Sequence, residues 1–204
     1  LVLSLLGHFE PKLWEKALGK YKTYLEMDGM RNVAQAHQVL LGCSEACKWM
    51  NRYEESMRYA LGAYRLMPDT PTALIQIAQL HLEQRDFHRA LMFAHDALGK
   101  AANTRKEMIS RPVIVFGRSN YIAASAAINM MQLDLALKHK VEAVKWFGED
   151  HEEIKNLDKV MSSMMSAVDT VTSYKKLKAM VGPETWSQVR EPILKALPPS
   201  YIDE

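Results

Sequence analysis

Two cysteines and three histidines are the residues of this chain whose spacing could support metal chemistry. Cys43 and Cys47 lie four residues apart, so on a helix they share one face and could supply two thiolate ligands. No second pair of ligands lies near them in the sequence, and the surrounding pattern places both at core positions, so we expect buried, inert thiols. His81, His88 and His95 recur every seven residues, which on one helix separates neighbours by about 10.5 Å. One ion cannot span that distance, so we expect histidines at surface or capping positions and no metal site.

No motif for catalysis occurs in the sequence. A Gly-rich phosphate-binding loop, an Asp-x-Asp pair of the kind that holds a metal with a nucleotide diphosphate, and a Gly-x-Ser-x-Gly elbow are all absent. The acidic run at 149–153 is typical of the charged first turn of a helix, where carboxylates meet the positive end of the helix dipole. We therefore expect no catalytic residue and no cofactor in this chain. Whether it belongs to a larger enzyme stays open.

Composition limits the classes of partner and compartment. The chain has 204 residues and a formal net charge of +2, with 25% charged residues. This balance gives no reason to expect binding to nucleic acid or to an anionic membrane. Two cysteines make no disulfide framework and no long apolar run is present, so we expect a cytoplasmic protein without a membrane span. The apolar start at 1–6 lacks the flanks of a signal peptide, and the missing initiator Met suggests a piece of a longer chain.

Helices must position any functional residues, because apolar residues recur at helical spacing almost throughout and no stretch alternates as a strand does. We expect an all-α fold with helices of roughly 12 to 18 residues. Turn-forming residues predict where these helices end. The predicted breaks are at 7–11, 28–29, 51, 68–71, 85–86, 111–112, 148–150, 182–183 and 198–199.

A short pattern occurs three times, with Ser56, Ala90 and Ala136 at equivalent places. The first two copies are 34 residues apart and the third follows after 46, which is one period with an insertion of 12. Periods of this size indicate stacked helical hairpins. Small residues let two helices cross closely, so we expect them to be buried at the crossings. They are Ser44, Ser56, Ala60 and Ala63, then Ala78, Ala90, Ala94 and Ala97, then Ala124, Ala136 and Ala143.

The pattern resembles the tetratricopeptide repeat. With Pro68 as the closing proline of a unit, the family's signature positions hold Leu40, Ser44, Tyr53, Ser56, Ala60 and Ala63. The resemblance implies a right-handed α-solenoid over 1–155, with a half-unit at about 1–28, units at about 37–70, 71–102 and 117–150, and an insertion at 103–116. Helices in 156–204 would cap its end. In the half-unit, Trp14, Ala17 and Tyr21 take the places of Tyr53, Ser56 and Ala60. The family's turn glycine is replaced by Asn51, Arg85 and Met131.

The resemblance also implies which residues line an inner groove, where proteins of this family bind their partners. By analogy these are Gln38, Leu41, Glu45, Lys48 and Trp49 in the first unit, Ile75, Gln79 and Leu82 in the second, and Arg118, Tyr121 and Ser125 in the third. The Lys and Asn set that clamps a C-terminal carboxylate is not reproduced. We expect apolar and aromatic side chains to anchor a helix or an extended segment instead.

A basic segment lies between the second and third units. Its cationic residues are Lys100, Arg105, Lys106 and Arg111. Such a segment could bind a phosphate, an acidic peptide or an acidic domain of its own chain. A solvated linker or a helix extension is the alternative interpretation.

The sequence favours a non-catalytic interaction module that binds a protein segment or another domain of its own polypeptide. The alternative rests on a second resemblance. The segment 24–30, the helix with Ala36 and His37, and the insertion with Arg111 and Pro112 between repeats are similar to the repeat region that follows the catalytic domain of some family-2 glycosyltransferases. Such a region would aid acceptor placement or dimerise the enzyme. A homodimer is a further expectation, since a half-unit leaves an apolar edge that must be covered.

Overall fold

In the computed structural model of the chain, the described residues are 11–27, 32–103 and 111–180, with the backbone alone described from 167 onward. Every regular element in these ranges is helical, so the predicted all-α class is confirmed for them. None of their helices is both long enough and apolar enough to cross a membrane. Two compact units divide the chain, Leu1–Ile154 and Lys155–Glu204.

Short connections separate most of the helices. The elements are α1 (Pro11–Met27), α2 (Val33–Trp49), α3 (Tyr53–Leu66), α4 (Pro71–Glu83), α5 (Phe87–Asn103), a π-helical segment (Val113–Arg118), α6 (Ser119–Asn129), α7 (Leu133–Phe147) and α8 (Glu152–Met180). The predicted breaks at 51, 68–71, 85–86 and 148–150 fall at the ends of these helices and are confirmed. The breaks predicted at 28–29, 182–183 and 198–199, and all of 7–11 except Pro11, lie outside the described residues.

Consecutive helices between residues 33 and 147 pack in pairs. α2 packs on α3, α4 on α5 and α6 on α7, and each pair contacts the next through α3 with α4 and α5 with α6. In addition, α2 contacts α4 and α4 contacts α6. The first helices of the three hairpins therefore contact one another in chain order.

Small residues occupy the helix crossings, as predicted. The side chains with 0% exposure include Ser44, Ser56, Ala60, Ala63, Ala78, Ala90, Ala94, Ala97, Ala124, Ala136 and Ala143. In the first hairpin the Ser56 hydroxyl donates to the Ser44 carbonyl oxygen at 2.7 Å and lies 3.0 Å from the Ser44 hydroxyl. Both hydroxyls are thus satisfied inside an apolar contact, which removes the penalty for burying them.

The three hairpin turns share one geometry. Asn51, Arg85 and Met131 have φ values of 59°, 60° and 58°, in the left-handed region that favours glycine. At each turn the N–H of this residue donates to the carbonyl oxygen three residues back, and the next N–H donates to the carbonyl oxygen five residues back, at 2.8 to 3.1 Å. This pair of bonds is the Schellman arrangement that ends many helices. The three turns therefore have the same backbone structure as well as the same position in the repeat.

The third hairpin begins earlier than predicted, with the π-helical segment Val113–Arg118. α5 ends at Asn103, so the last part of the predicted insertion at 103–116 is a helical extension of the third hairpin, which is one of the forms expected for it. Burial explains the difference, since Val115 is 2% exposed and joins a core cluster with residues of α4, α5 and α6. Gly117 lies so close to α7 that a Cβ there would come within 2.8 Å of the Phe147 ring.

α1 packs on α2. Trp14 and Ala17, which the half-unit prediction named, are buried. The Tyr21 ring lies over Gly42, where a Cβ would come within 2.8 Å of it. One core cluster joins the two helices through Trp14, Leu18, Cys43, Ala46 and Cys47.

Candidate functional site

The surface formed by α2, α4, the end of the π-helical segment and α6 carries most of the residues predicted to bind a partner. We call it the first-helix face and define it by Leu41, Glu45, Gln79, Leu82, Arg118, Tyr121 and Ser125. All of these are half-buried, which lets a side chain pack on its own helix and still contact a ligand. Gln38, near the start of α2, is exposed.

Lys48 is a buried cation next to this face. Its side chain is 7% exposed, and its Nζ lies 3.9 Å from Glu83 Oε1 on α4. Burial lowers the pKa of Lys48, while the negative charges of Glu83 and Glu45 raise it. Arg118 and Glu153 also act on this pKa, the first lowering it and the second raising it. Charged groups of the first helices of all three hairpins therefore interact with one another.

Arg118 connects the third hairpin to the start of α8. Its guanidinium forms an ion pair with Glu153 and lies 5.7 Å from the centre of the Tyr121 ring. Burial raises the pKa of Tyr121, and the nearby Glu153 carboxylate adds to that effect. The acidic run predicted to begin a helix does so, with Glu152 and Glu153 in the first turn of α8. Its pairing with Arg118 was not predicted.

Two buried oxygen atoms at this site have no hydrogen-bond partner among the described residues, Gln79 Oε1 and Glu153 Oε2. The Gln79 amide nitrogen donates to Glu83 Oε1 at 2.8 Å, so the carbonyl oxygen of the same side chain remains to accept a bond. Unpaired buried acceptors are rare in proteins because each one costs free energy. Both oxygen atoms therefore make an unfavourable contribution to the stability of this part of the molecule.

Three residues predicted to line the groove have other roles. Lys48 and Ile75 are 7% and 6% exposed, so neither offers surface to a partner, and their assignment to the groove lining is corrected. Ile75 is buried because it packs in the core cluster with α5 and α6. The Trp49 ring stacks on Trp14 with centroids 6.2 Å apart, and Lys48 Nζ lies 4.7 Å from it. Trp49 therefore stabilises the contact of α1 with α2.

Only part of the basic insertion is described. Lys100 Nζ donates to Asp69 Oδ1 at 2.9 Å, so this lysine is not an isolated cation. Arg111 is exposed at the start of the π-helical segment. Arg105 and Lys106 lie outside the described residues.

The two cysteines are buried and unbonded to each other, as predicted. Burial is the largest cause that raises the pKa of Cys43 to about 12 and that of Cys47 to about 11. Both are thus thiols at neutral pH and poor nucleophiles. Within the part of the chain that the structure describes, no group of three or more His, Cys, Asp or Glu residues is arranged to hold a metal ion.

The three predicted histidines have different surroundings. His88 and His95 are exposed. The His81 side chain is only 12% exposed and stacks on Phe93 at 5.4 Å between centroids. His81 lies in the last turn of α4, with its Nδ1 3.6 Å from Asp86 Oδ2 in the turn that follows, so it takes the helix-end position that was expected as the alternative to a surface position.

A polar cluster that the sequence analysis missed joins α5, α6 and α7. His139 Nε2 lies 2.9 Å from His95 Nε2, and His139 Nδ1 lies 2.8 Å from Asn120 Oδ1. Asn120 and His139 are 6% and 8% exposed. A signal was present in the repeat, since Asn120 stands where the preceding copy has Leu74. A polar residue at an apolar core position needs a partner.

No protein-family model matches this sequence and no curated protein matches it, so its function has to be inferred from these contacts.

Proposed function

We propose that the hairpins of α2 to α7 form an α-solenoid of tetratricopeptide type, which binds a protein segment on the first-helix face. The observation that carries the proposal is the ion pair of Lys48 on α2 with Glu83 on α4, 3.9 Å apart, which lies beside the half-buried side chains of the first-helix face. The contacts of α2 with α4 and of α4 with α6 support it, because stacked hairpins bring their first helices together in this way. The three equivalent left-handed turns support it further.

The chemistry of the face favours an apolar anchor over a charged one. Glu83 and Arg118 already have partners of opposite charge within the chain. Leu41, Leu82 and Tyr121 remain as half-buried apolar or aromatic surface. Aromatic and aliphatic anchors supply most of the binding free energy in many interfaces. We therefore expect a segment with one or two large apolar side chains, and a dissociation constant that changes little with salt.

Selection of peptides from a display library on the immobilised chain tests this proposal. The selected peptide is then titrated against a variant with Leu41→Ala and Tyr121→Ala. Loss of two central anchors is expected to raise the dissociation constant by about tenfold or more. The matched control is Leu137→Ala with Val141→Ala, two α7 residues that are each 50% exposed and lie outside the face.

Thermal unfolding followed by circular dichroism checks that both double variants remain folded. A selected peptide that binds the Leu41 and Tyr121 variant as tightly as the parent contradicts the proposal. A peptide that loses affinity only for the Leu137 and Val141 control variant also contradicts the proposal.

A further inference from the structure

The third hairpin replaces an apolar core pair with a polar one. One repeat earlier, the positions of Asn120 and His139 hold Leu74 and Phe93, and the first copy holds Leu40 and Tyr59. Leu74 and Phe93 belong to the core cluster between α4, α5 and α6. The fold therefore packs this position without a buried amide or imidazole. Packing alone therefore does not explain why the third hairpin has Asn120 and His139 at these positions.

Hydrogen bonds fix which nitrogen of His139 carries the proton. The Asn120 amide nitrogen donates to the Phe116 carbonyl oxygen at 2.8 Å, so Asn120 Oδ1 is the atom that faces His139. An amide oxygen only accepts, and His139 Nδ1 lies 2.8 Å from it. Nδ1 must therefore carry the hydrogen, and Nε2 of the neutral ring carries a lone pair. Burial, the His95 ring and Lys138 lower the pKa of His139 to about 4, so the ring is neutral at pH 7.

His95 meets this lone pair from the surface of α5. The two Nε2 atoms are 2.9 Å apart, and the ring centroids are 5.0 Å apart with 37° between the ring planes. In the hydrogen-bonded state His95 donates its Nε2 hydrogen to His139. Metal–imidazole bonds are about 2.0–2.1 Å long, so two imidazoles on one ion place their nitrogens about 3 Å apart. Because His95 is exposed, its ring can turn until both lone pairs point at one ion.

We propose that His95 and His139 form a binding site for one divalent transition-metal ion of the class that prefers imidazole, such as Zn²⁺, Ni²⁺ or Cu²⁺. Water completes the coordination on the solvent side, and Asn120 orients His139 as the hydrogen-bond partners of metal-bound histidines commonly do. On binding, the hydrogen on His95 Nε2 is displaced, and the neutral ring that coordinates the ion carries its hydrogen on Nδ1. Magnesium and calcium are excluded because they prefer oxygen ligands.

Nearby charges tune this site in opposite directions. The carboxylate of Glu142 favours positive charge at His139, and the ammonium of Lys138 disfavours it. Lys145 pairs with Glu142 at 2.6 Å, which weakens the carboxylate's effect. The site is separate from the first-helix face and does not depend on the function proposed for that face.

Isothermal titration of the full chain, prepared without a polyhistidine tag and with its thiols reduced, tests the proposal. Zn²⁺ and Ni²⁺ are the probes, and Mg²⁺ is the negative control. We expect one Zn²⁺ or Ni²⁺ per chain. His95→Ala is expected to weaken binding by about tenfold or more, since it removes one of two ligands. His88→Ala is the matched control, because His88 is exposed on the same helix and should leave the affinity unchanged.

A second variant tests the contribution of the buried His139 without leaving an unpaired polar group in the core. Asn120→Leu with His139→Phe restores the pair found one repeat earlier, Leu74 and Phe93. This chain is expected to fold, as checked by circular dichroism, and to lose the Zn²⁺ and Ni²⁺ affinity. The proposal is overturned if the parent binds neither ion, if His95→Ala binds as tightly as the parent, or if His88→Ala loses the affinity instead.

Discussion

Left-handed residues at the hairpin turns are sites of strain. Asn51, Arg85 and Met131 all have φ near 60°, and a Cβ in this conformation approaches the following carbonyl oxygen at a cost of about 1–2 kcal/mol. Asn tolerates the conformation better than the others, because its short polar side chain can hydrogen-bond locally. The strain is therefore greatest at Arg85 and Met131.

Glycine at these turns is predicted to stabilise the protein. Met131→Gly and Arg85→Gly should each raise the free energy of unfolding by about 1 kcal/mol, since the relief of strain exceeds the added freedom of glycine in the unfolded chain. For a chain of this size the melting temperature should rise by about 2–4 °C. Asn51→Gly should gain less.

Alanine at the same positions separates backbone strain from loss of the side chain. Met131→Ala and Arg85→Ala keep the Cβ at positive φ, so they should not reproduce the gain. An alanine variant that is as stable as the glycine variant would show that the backbone conformation is not the cause.

Proton binding at His139 is predicted to make stability depend on pH. Because its folded pKa is about 4 and an unperturbed histidine has a pKa of about 6.5, the folded state binds fewer protons between these values. The stability that neutral His139 provides is complete above pH 6.5 and is lost as the pH falls to about 4. The loss is complete only when His139 is protonated in the folded state as well, at a pH below about 4.

Urea unfolding at pH 7.5, 5.5 and 4.5 measures this dependence. Other groups titrate in the same window, so the quantity to compare is the difference between the parent and the Asn120→Leu, His139→Phe variant. That difference should shift in favour of the variant as the pH falls. A difference that is constant with pH would mean that His139 titrates normally in the folded state.

The repeat pattern predicts which small residues are buried, but it does not predict which polar side chains pair with each other. Ala90 and Ala136 follow from the period, since helix crossings need small side chains whatever their neighbours are. The pairing of His95 with His139 does not, because it joins residues 44 positions apart whose types differ from those in the other copies. Local periodicity carries no information about such a pair.

Close packing at the start of the third hairpin depends on one missing side chain. A Cβ on Gly117 would lie 2.8 Å from the Phe147 ring, which is far inside van der Waals contact. The ring cannot move freely, because it stacks on His151 with centroids 4.5 Å apart. The π-helical segment and α7 can therefore approach each other only with glycine at this position.

Two glycine-to-alanine changes are predicted to have opposite effects. Gly117→Ala should lower the free energy of unfolding by about 1–3 kcal/mol, as overpacking does. Gly99→Ala, in α5 where no atom lies within 4 Å of the added Cβ, should raise it by roughly 0.5–1 kcal/mol through helix propensity. Urea denaturation of both variants measures the contrast, and equal shifts would contradict the role given to Phe147.

The sequence predicts where the helices end better than it predicts which of their residues are buried. Breaks such as Asn51 follow from turn chemistry, which is local. The family resemblance places Lys48 and Ile75 in a groove by their positions in the repeat, whereas burial depends on what the neighbouring helices supply. For Lys48 the neighbour is Glu83 on α4, which no spacing within α2 could indicate.

Across residues 11–154, helix α1 covers an edge that would otherwise be apolar. Trp14 and Leu18 are 4% and 3% exposed and pack with Ala46 and the two buried cysteines of α2. Without this cover the first hairpin would present an apolar surface of the kind that drives association.

Trp14→Ala is predicted to destabilise the molecule and promote self-association. A buried Trp→Ala change costs about 3–5 kcal/mol, and size-exclusion chromatography with light scattering should show mass rising with concentration. Leu137→Ala is the matched control, because Leu137 is 50% exposed and its truncation should cost only about 0.5 kcal/mol. If the two variants behave alike, α1 does not have this covering role.

Contacts between hairpins were the least predictable feature of the molecule. Lys100 with Asp69 and Arg118 with Glu153 each join residues from different elements, 31 and 35 positions apart. The repeat predicts which helices are neighbours, but charged residues vary from copy to copy and their partners follow from three-dimensional placement.

The reactivity of the Lys48 amine reports on the separation of α2 and α4. Because burial lowers its pKa, more of it is the free amine at a given pH than for a surface lysine, and the free amine is the form that acylating reagents attack. At 7% exposure the amine reacts only when α2 and α4 move apart. Its acylation rate can be measured by mass spectrometry, with the exposed Lys138 as the reference. This rate therefore reports how often the first-helix face opens. A segment bound there should slow labelling at Lys48 and leave Lys138 unchanged.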